Sequence, residues 1–516
     1  MFSSFIEASG DSRADSLLSG SKWGAGSVGS PVNLTYSFPE GSTYWSYPEE
    51  AEAGFFGLST AQQNYFTLAL NSWQEVTQLT FTEVPDSVTY GDIRVAYTAK
   101  ITGNTQAYAY LPGSGVYLGK TILTSDQAGD VWLNPSLTDL SVSSVGYSVL
   151  IHELGHGLGL KHSFESEAGF PALNPTLDNT KYTVMSYTEY TGAGYIFTQE
   201  NAFYYTYREV MPTTPMLYDI LAAQYMYGVD TSTRTGDDVY TFATRAELKT
   251  IWDAGGTDEI NLSNQNIAAN LNLNAGEFSD IGQRQMTYKG PLIQADENIA
   301  IAFGAVIENA TGTRFNDVIT GNSADNVIDG GLGDDRINGG AGIDTAKYQG
   351  VRDSYVLTQV AAGNVTVEGQ EGLDTLESIE KVSFSDGDFL LSELFATAAT
   401  SVPTTKSEVS LTPAESDTAY FLLEIGQVQS QEASVSYTTR DGTALAGEDY
   451  VATSGIATIA AGSSSLAIAV QLIDDAVSEG NETFSLVVSN PVGGIFSNDT
   501  LELVAQRTII DNDIIV

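Results

Sequence analysis

The sequence predicts a multidomain protein in which a helix-containing N-terminal domain precedes a parallel β-roll and then an antiparallel β-sandwich. Three observations predict this order. All three histidines of the chain fall in one short stretch with helical spacing. A nine-residue period rich in glycine and aspartate begins at Gly312. Short segments of alternating apolar and polar residues follow a linker at 401–405. The length agrees, because 516 residues are too many for one core.

The charge is strongly acidic, with 65 aspartates and glutamates against 21 lysines and arginines and a formal net charge of −44. Nucleic acid would be repelled by such a chain and is excluded as a partner. The charge is that of a soluble, salt-tolerant surface or of a chain whose folding is completed by divalent cations. The repeats described below favour the second interpretation. With no cysteine, disulfides and thiol chemistry are excluded.

No run of about 18 apolar residues is present, so membrane insertion is not expected. The first seven residues lack a basic start followed by an apolar core, and a cleaved signal peptide is therefore not expected. The chain is then either cytosolic or exported by a route that does not read the N-terminus.

The histidine stretch, HELGHGLGLKH, predicts a catalytic zinc site. His152 and His156 are four apart on a helix and so lie on one face, where both rings reach one metal ion. Gly159 ends the helix and turns the chain back, so that His162 supplies a third nitrogen. Three ligands leave one position for water, and Glu153 is placed to act as general base. A helix with incidental surface histidines would not use every histidine of the chain in one pattern.

The complete pattern resembles that of the metzincin metallopeptidases, and the serralysin branch is the more similar, over residues 15–348. The resemblance implies an α+β catalytic domain. It implies that Met185 packs beneath the metal without binding it. It also implies that Tyr187 is a switchable fifth zinc ligand that stabilises the oxyanion. The edge strand that pairs with an extended substrate would contain Gln106, Ala107, Tyr108, Ala109 and Tyr110.

Four nine-residue units begin at Gly312, Gly321, Gly330 and Gly339, and they predict a calcium-binding β-roll. The sixth position, which binds calcium in such repeats, holds Asp317, Asn326, Asp335 and Asp344, and the turn glycines of the third unit are Gly330, Gly331 and Gly333. Asn326 and Ala346 depart from the repeat. A flexible linker would not place isoleucine at the eighth position of three successive units. Without calcium the carboxylates would repel one another, so order should await the metal.

The resemblance to serralysins and their RTX repeats implies further calcium ligands before the repeats. These are Arg234, Gly236, Asp238, Asp253, Gly255, Gly256, Asp258 and Glu308. It also implies export from a bacterium by a type I secretion apparatus that reads the C-terminus. The last four residues are acidic and then apolar, as in that family, although an ordinary strand end fits equally well.

The segments 441–450, 474–484 and 510–513 resemble the Calx-β module, a β-sandwich that binds calcium in acidic end loops. The matching positions are Glu415, Asp449, Asp474, Asp475, Glu479, Asp511 and Asp513. Acidic loop residues are also common without a metal. The module suggests attachment to a cell surface or targeting to a substrate.

The sequence thus predicts an N-terminal extension (1–14), a catalytic domain (15–230), a β-roll domain (231–398) and a Calx-β-like sandwich (399–516). The predicted function is that of a secreted, monomeric endopeptidase with one catalytic zinc and several structural calcium ions, acting on proteins or peptides. The alternative is a calcium-dependent surface adhesin or surface-layer protein with a secondary or silent peptidase domain. Glu153 and Tyr187 favour the enzyme, because a silent domain would need neither.

Overall fold

The computed structural model describes residues 2–40, 50, 53–86, 90–113, 115–167, 169–192, 196–201, 204–208, 210–284, 293–361, 363–395, 418–424, 432–461, 463, 465–475, 480–492, 496 and 502–509, with only the backbone at 196–201, 204–208, 361, 393 and 424. The chain divides into two compact units, Met1–Asp388 and Phe389–Val516. The predicted catalytic domain and residues 231–388 of the predicted repeat domain (231–398) lie in the first unit, so the boundary between these two domains stays a prediction.

The N-terminal part of the first unit combines helices with two main sheets. Its helices are α1 (Ser12–Asp15), α2 (Thr60–Gln74), α3 (Val145–Leu158) and α4 (Leu217–Tyr227). Its strands are β1 (Phe2–Phe5), β2 (Ser21–Trp23), β3 (Val32–Ser37), β4 (Phe55–Phe56), β5 (Leu79–Glu83), β6 (Ile93–Thr98), β7 (Ala107–Ala109), β8 (Gly115–Leu118), β9 (Thr121–Thr124), β10 (Val131–Leu133), β11 (Ile196–Asn201) and β12 (Tyr204–Arg208). Within the described residues, no helix is long and apolar enough to cross a membrane.

The larger sheet has the order β5-β3-β6-β10-β7, and β4 also pairs with β6. Strands β5, β3, β6 and β10 are parallel, whereas β7 runs antiparallel to β10 at the edge. A second, four-stranded sheet has the order β2-β1-β9-β8. Helix α3 packs against both α2 and β7, and this packing brings the histidine helix beside an edge strand.

Helix α3 forms where the apolar spacing predicts a buried helix. Leu150, Ile151 and Leu154 are fully buried in the core. The side chain of Ser144 caps the first turn by accepting a hydrogen bond from the backbone N–H of Tyr147 (3.1 Å). The helix ends at Gly159, whose φ of 109° is in the left-handed region that favours glycine. The predicted turn after the two helical histidines is therefore present.

The repeat part of the first unit is almost entirely β-structure. Its strands are β13 (Val239–Tyr240), β14 (Lys249–Ile251), β15 (Glu259–Asn261), β16 (Asn270–Asn272), β17 (Phe278–Ser279), β18 (Gln283–Arg284), β19 (Ile293–Gln294), β20 (Ile299–Ile301), β21 (Asn309–Thr311), β22 (Val318–Thr320), β23 (Val327–Asp329), β24 (Arg336–Asn338), β25 (Thr345–Lys347), β26 (Val356–Ala361), β27 (Asn364–Glu368), β28 (Leu373–Glu377), β29 (Lys381–Phe384) and β30 (Gly387–Leu390). A short 3-10 helix covers Arg352–Ser354.

Successive repeat strands alternate between two sheets. Strands β22, β24 and β28 pair in parallel in one sheet, and β21, β23, β25 and β29 pair in parallel in the other. Ile319 lies beside Ile337 in the first sheet, and Ile328 lies beside Ala346 in the second. All four side chains are buried, so the eighth position of each nine-residue unit fills the space between the sheets. Strands β26 and β27 extend the first sheet in antiparallel fashion.

The second unit begins at Phe389, within β30, and continues with a short helix, α5 (Leu391–Leu394), and antiparallel strands. These are β31 (Thr418–Glu424), β32 (Ala433–Asp441), β33 (Ser454–Ile459), β34 (Ser465–Gln471), β35 (Glu482–Val492) and β36 (Glu502–Ile509). One sheet pairs β31 with β34, and the other has the order β33-β32-β35-β36. Phe421, Tyr450 and Phe484 lie in one apolar core. A multidomain chain with a mostly β C-terminal region is confirmed. The naming of its parts as β-roll and β-sandwich stays a prediction.

Candidate metal-binding active site

The three histidines are brought together by helix α3 and the turn after it. Each ring is held by a hydrogen bond at Nδ1. His152 contacts the carbonyl oxygen of Val184 (2.6 Å), His156 that of Leu160 (2.8 Å), and His162 the Oε1 atom of Glu165 (2.9 Å). Because all three acceptors can only accept, each Nδ1 carries the proton and each Nε2 is left with a lone pair.

These lone pairs converge on one point. The ligand nitrogens of the three histidines lie within 4.8 Å of one another, and the Nε2 atoms of His156 and His162 are 3.1 Å apart. Two unprotonated nitrogens cannot hydrogen-bond to each other, so a cation between them fits the geometry. Burial lowers the pKa of His152 to about 4 and that of His156 well below its usual value. Both rings are therefore neutral, which is the form that binds zinc.

Glu153 lies beside the histidines with its carboxylate inside the protein. Its Oε2 atom has no hydrogen-bond partner among the described residues. Burial raises the pKa of this carboxyl to about 8, because nothing nearby compensates its charge. A divalent cation at the histidines would favour the charged form. The position and the orphaned oxygen suit a group that exchanges a proton with a water molecule.

The turn that contains Met185 packs against helix α3 at Gly155. The Met185 side chain is fully buried, and a Cβ atom added to Gly155 would lie 2.6 Å from its sulfur. Tyr187, by contrast, is 68% exposed, and its hydroxyl lies 2.7 Å from Nε2 of His162. Met185 thus packs against the helix that carries the histidines, and the Tyr187 hydroxyl lies at a histidine nitrogen. The roles predicted for these two residues stay predictions.

Asp219 holds this turn in place, and the sequence analysis did not single it out. Its carboxylate accepts hydrogen bonds from the hydroxyl of Thr183 (2.5 Å) and the backbone N–H groups of Val184 (2.7 Å) and Met216 (2.8 Å). Val184 in turn accepts from His152. The available signal was an aspartate in the first turn of an otherwise apolar helix. Two of its three hydrogen-bond partners lie 35 residues or more away along the chain, so the sequence does not show what it binds.

Two of the histidines, His156 and His162, line a cleft of about 230 Å³ that is bordered by the predicted substrate strand. Ala107, Tyr108 and Ala109 form strand β7 and line the cleft. Gln106 and Tyr110 flank the strand, and both continue its backbone pairing, through Asn134 N–H to Gln106 O (2.8 Å) and Tyr110 N–H to Asp130 O (3.0 Å). The strand has one neighbour, β10, in the described part of its sheet.

Glu50 was also missed by the sequence analysis. Its Oε1 atom is buried and accepts hydrogen bonds from the hydroxyls of Tyr108 (2.9 Å) and Tyr110 (2.8 Å) and from the ammonium of Lys100 (2.9 Å). The two tyrosines alternate with the alanines of the cleft strand. Glu50 thus fixes the face of the strand that is turned away from those alanines.

The predicted calcium ligands ahead of the repeats also come together. Carboxylate oxygens of Asp238, Asp253 and Asp258 lie within 4.8 Å of one another, and the Oδ2 atom of Asp258 is buried without a partner among the described residues. Glu308 accepts from the Asp258 N–H (2.8 Å). The remaining predicted residues adjoin them. Arg234 has a left-handed φ of 53°, Gly255 donates its N–H to Asp253 (2.8 Å), and the Gly236 carbonyl leaves no room for a Cβ on Gly256.

The repeat carboxylates are arranged in two columns. In one column Asp317 N–H donates to Asp335 (2.8 Å), and Asp335 N–H donates to Asp374 (2.9 Å). In the other, Asn326 N–H donates to Asp344 (2.8 Å), and Asp344 N–H donates to Glu380 (2.8 Å). Asp374 and Glu380 were missed because they follow the last unit, where the nine-residue period no longer marks them.

Some carboxylate oxygens in the columns have no hydrogen-bond donor among the residues that the structure describes. The Oδ2 atoms of Asp335 and Asp344 are buried without partners in the described structure. Burial and neighbouring carboxylates raise the pKa of Asp335 to about 8 and that of Asp374 to about 6. The glycines shape the turns between the rungs. Gly331 and Gly333 have positive φ, and a Cβ on Gly330 would meet the Asp335 carboxylate. Oxygen-rich columns of this kind fit calcium.

The predicted calcium loops of the second unit are only partly described. Asp449 accepts from the Leu445 N–H (2.7 Å), and its carbonyl accepts from the N–H of Ile473 (2.9 Å), which precedes Asp474 and Asp475. Glu415, Glu479, Asp511 and Asp513 lie outside the described residues. In what is described of this unit, no three acidic or histidine side chains lie close enough to share a metal ion.

Three successive segments of the chain match known protein families. Residues 53–188 match the Matrixin family, 218–388 the family described as "Peptidase M10 serralysin C terminal", and 400–513 the Calx-beta domain. A crystal structure of the apo-form Calx CBD1 domain is 31% identical, covers 19% of this chain and 83% of that chain, and has a TM-score of 0.17.

Curated relatives match more than half of the chain. Serralysin C of Dickeya chrysanthemi is 33% identical over 321 residues, which are 57% of this chain and 60% of the relative. Serralysin of Proteus mirabilis is 32% identical over 329 residues, which are 57% of this chain and 60% of the relative. The chain thus spans about three fifths of the length of these relatives. The predicted resemblance to serralysin-type metallopeptidases with a C-terminal Calx-β module is confirmed.

Proposed function

We propose that this chain, which matches the serralysin-type metallopeptidases in both parts of its first unit, is an extracellular zinc-dependent endopeptidase. One observation carries the proposal. Three imidazole nitrogens, each oriented by a hydrogen bond at the opposite ring nitrogen, converge beside a buried carboxyl in a cleft that borders an edge strand. A protein that acted only as an adhesin would not need this arrangement of side chains.

In this proposal His152, His156 and His162 hold zinc, and the remaining steps belong to the chain's own groups. When bound, zinc would polarise the scissile carbonyl and lower the pKa of the attacking water. Glu153 takes the proton of that water as general base and passes it to the leaving amine. The hydroxyl of Tyr187 donates a hydrogen bond to the oxyanion that forms on the substrate carbonyl.

Strand β7 is the proposed substrate-binding element. An extended peptide would pair with its free edge and add a strand to the sheet, which places the peptide across the cleft. The bonds from Tyr108 and Tyr110 to Glu50 would keep the strand straight as the peptide is exchanged. Substrates are therefore proteins or peptides in an extended conformation. A monomer suffices for this chemistry, because one chain supplies every proposed group.

We further propose that residues 231–398 form an RTX β-roll held together by several calcium ions, after an α+β metzincin domain (15–230) that follows a short extension (1–14). Alternating parallel strands and partnerless buried carboxylates support the calcium columns. The same columns suit a chain that stays unfolded until a type I secretion apparatus delivers it to a calcium-rich exterior. Residues 399–516 would form the Calx-β sandwich, with calcium at its acidic end loops.

Hydrolysis of casein by the full chain tests the proposed activity. Protein stripped with a zinc chelator should be inactive, and stoichiometric zinc should restore activity while added calcium alone should not. A chain that is correctly folded and zinc-loaded yet leaves casein intact would contradict the peptidase and favour the adhesin alternative.

A further inference from the structure

The segment that carries Met185 and Tyr187 is fastened at its base to the repeat region. Lys181 is the centre of this contact. Its side chain is 6% exposed, and its ammonium lies 2.5 Å from Oε2 of Glu297, far along the chain. The same ammonium lies over the rings of Tyr182 (4.6 Å), Tyr190 (5.0 Å) and Phe278 (4.6 Å). Lys181, Glu297 and these three rings are called the Lys181 clasp below.

The Lys181 ammonium has more stabilising contacts than the ammonium of an ordinary surface ion pair. Lysine is rarely buried unless it is paired, and here one carboxylate and three aromatic faces surround the charge. The rings also pack on one another, since Tyr182 meets Phe278 edge to face with centroids 5.4 Å apart. Tyr182 and Tyr190 belong to the active-site segment, whereas Phe278 and Glu297 belong to the repeat region. The clasp therefore joins the two regions within the first unit.

A second set of bonds fastens the far end of the same segment. The carbonyl oxygen of Gly192 accepts from the N–H of Asp296 (3.0 Å) and from the guanidinium of Arg284 (3.2 Å). Asp296 directly precedes Glu297 in the chain. The segment from Lys181 to Gly192 is thus held at both ends by the same short stretch of the repeat region.

The clasp lies next to the bonds that set the backbone at Tyr187. Thr180 N–H donates to the carbonyl of Thr188 (2.9 Å), and Tyr190 N–H donates to the hydroxyl of Thr180 (2.9 Å). These bonds close a loop whose base is one residue from Lys181 and one residue from Tyr187. Tyr187 is 68% exposed, and its ring contacts the rings of two of the histidines. The backbone at the loop base therefore contributes, together with these contacts, to where its hydroxyl lies.

The backbone on the repeat-region side of the clasp is held by several hydrogen bonds. Glu297 has a φ of 45°, a left-handed conformation that is unusual for glutamate, and its N–H donates to Asp280 (2.6 Å). The next residue, Asn298, is fully buried and bonds through its amide to Ile281 and Glu247. Strand β20 follows at once and pairs with β14. The backbone that carries the Glu297 carboxylate is therefore held in place by the fold of the repeat region, although the side chain itself is 50% exposed.

We propose that Lys181 is a positioning residue for Tyr187, and that the Lys181 clasp makes the placement of the Tyr187 hydroxyl depend on a folded repeat region. The inference rests on the proposed peptidase function for its kinetic consequence. It gives the acidic columns a second role, since a metal that orders them also orders the loop that completes the active site. Lys181 touches no substrate and acts only through the loop.

The test compares Lys181→Met, which removes the charge, with Lys181→Arg, which keeps it. Lys120→Met is the matched control, because Lys120 forms an exposed pair with Glu7 (3.4 Å) in which both side chains are 88% exposed. We expect Lys181→Met to lower kcat about tenfold with KM changed less than about twofold, since the hydroxyl acts in the transition state. Lys181→Arg should keep kcat within about threefold of the parent, because the guanidinium preserves the charge and its stacking. Lys120→Met should match the parent.

Repeating the substitution in a Tyr187→Phe background separates positioning from a general loss of structure. If Lys181 acts through the hydroxyl, Lys181→Met should lower kcat there by less than about twofold. An equal loss in both backgrounds, or no loss in either, would overturn the proposal.

Amide hydrogen exchange of the full chain, with zinc removed and calcium retained, gives a readout that does not depend on catalysis. Lys181→Met should speed exchange in peptides that span 180–192, and Lys120→Met should not. Unchanged exchange would overturn the clasp even if the chain is an active peptidase. An inactive parent chain with faster loop exchange in Lys181→Met would instead support the clasp and refute the peptidase.

Discussion

The histidine site and the acidic columns both suit metal ions, but they differ in how completely their side chains are hydrogen-bonded when no metal is bound. At the histidine site every Nδ1 already has its partner, and Val184, Leu160 and Glu165 orient the three rings. In the columns Asp335 and Asp344 keep buried oxygens without partners among the described residues. Neutral rings do not repel one another, whereas buried carboxylates do. If both bind metal as proposed, the histidine site would be formed before its metal binds, whereas the columns would be completed by theirs.

The largest expected effect comes from removing the general base while leaving the ligands. Glu153→Gln should lower kcat/KM by about 10²- to 10⁴-fold, which is the range for general acid–base groups, and should keep one zinc per chain. Zinc content measured with casein hydrolysis checks both halves. Activity above a few per cent of the parent would contradict the role of Glu153. Loss of the metal would show that the carboxyl supports the site instead of the chemistry.

Tyr187→Phe tests the exposed residue of the histidine site, because it removes only the hydroxyl. The hydroxyl is needed mainly in the transition state, so kcat should fall by roughly 10²-fold while KM changes little. Steady-state kinetics on one extended peptide, with zinc affinity as control, give the answer. An unchanged kcat would mean that Tyr187 only packs against His162 and Phe164.

Asp335→Asn tests the columns, and its effect should change sign with calcium. Without calcium and above about pH 8, where the Asp335 carboxyl is charged, the amide keeps the acceptor for Asp317 N–H and gives neighbouring carboxylates a donor, so the unfolding free energy should rise by about 1 kcal/mol. With calcium one charged ligand is lost, and calcium affinity should fall roughly tenfold. Chemical denaturation with and without a calcium chelator measures both. Exposed Asp353→Asn serves as the control. A destabilising effect in both conditions would contradict repulsion between the carboxylates.

Much of the candidate site was predictable because its signals are local. His152, His156 and His162 lie within eleven residues, and a single glycine, Gly159, sets the turn between them. The period of nine likewise marks Asp317, Asp335 and Asp344 in the sequence. The order and pairing of the repeat strands follow from that period, because each isoleucine must reach the same interior.

The groups that sequence reasoning missed act over long separations. Asp219 holds the turn of Met185 from 35 residues away, and Asp374 continues the column of Asp335 from 39 residues away. Lys181 and Glu297 are 116 residues apart. No local pattern distinguishes these residues from ordinary helix, strand or loop residues. Only the fold shows which of them face a buried partner.

The most direct test of the difference between the two metal sites is calorimetry of the full chain after selective removal of each metal. With calcium present and zinc removed, casein hydrolysis should be lost while the unfolding transitions remain close to those of the intact protein. With calcium removed and zinc present, the transition of the repeat region should disappear and β-structure should fall in circular dichroism. Should calcium removal leave every transition in place, the columns would be an ordinary β-domain, and the proposed division between a zinc site for chemistry and calcium columns for folding would be wrong.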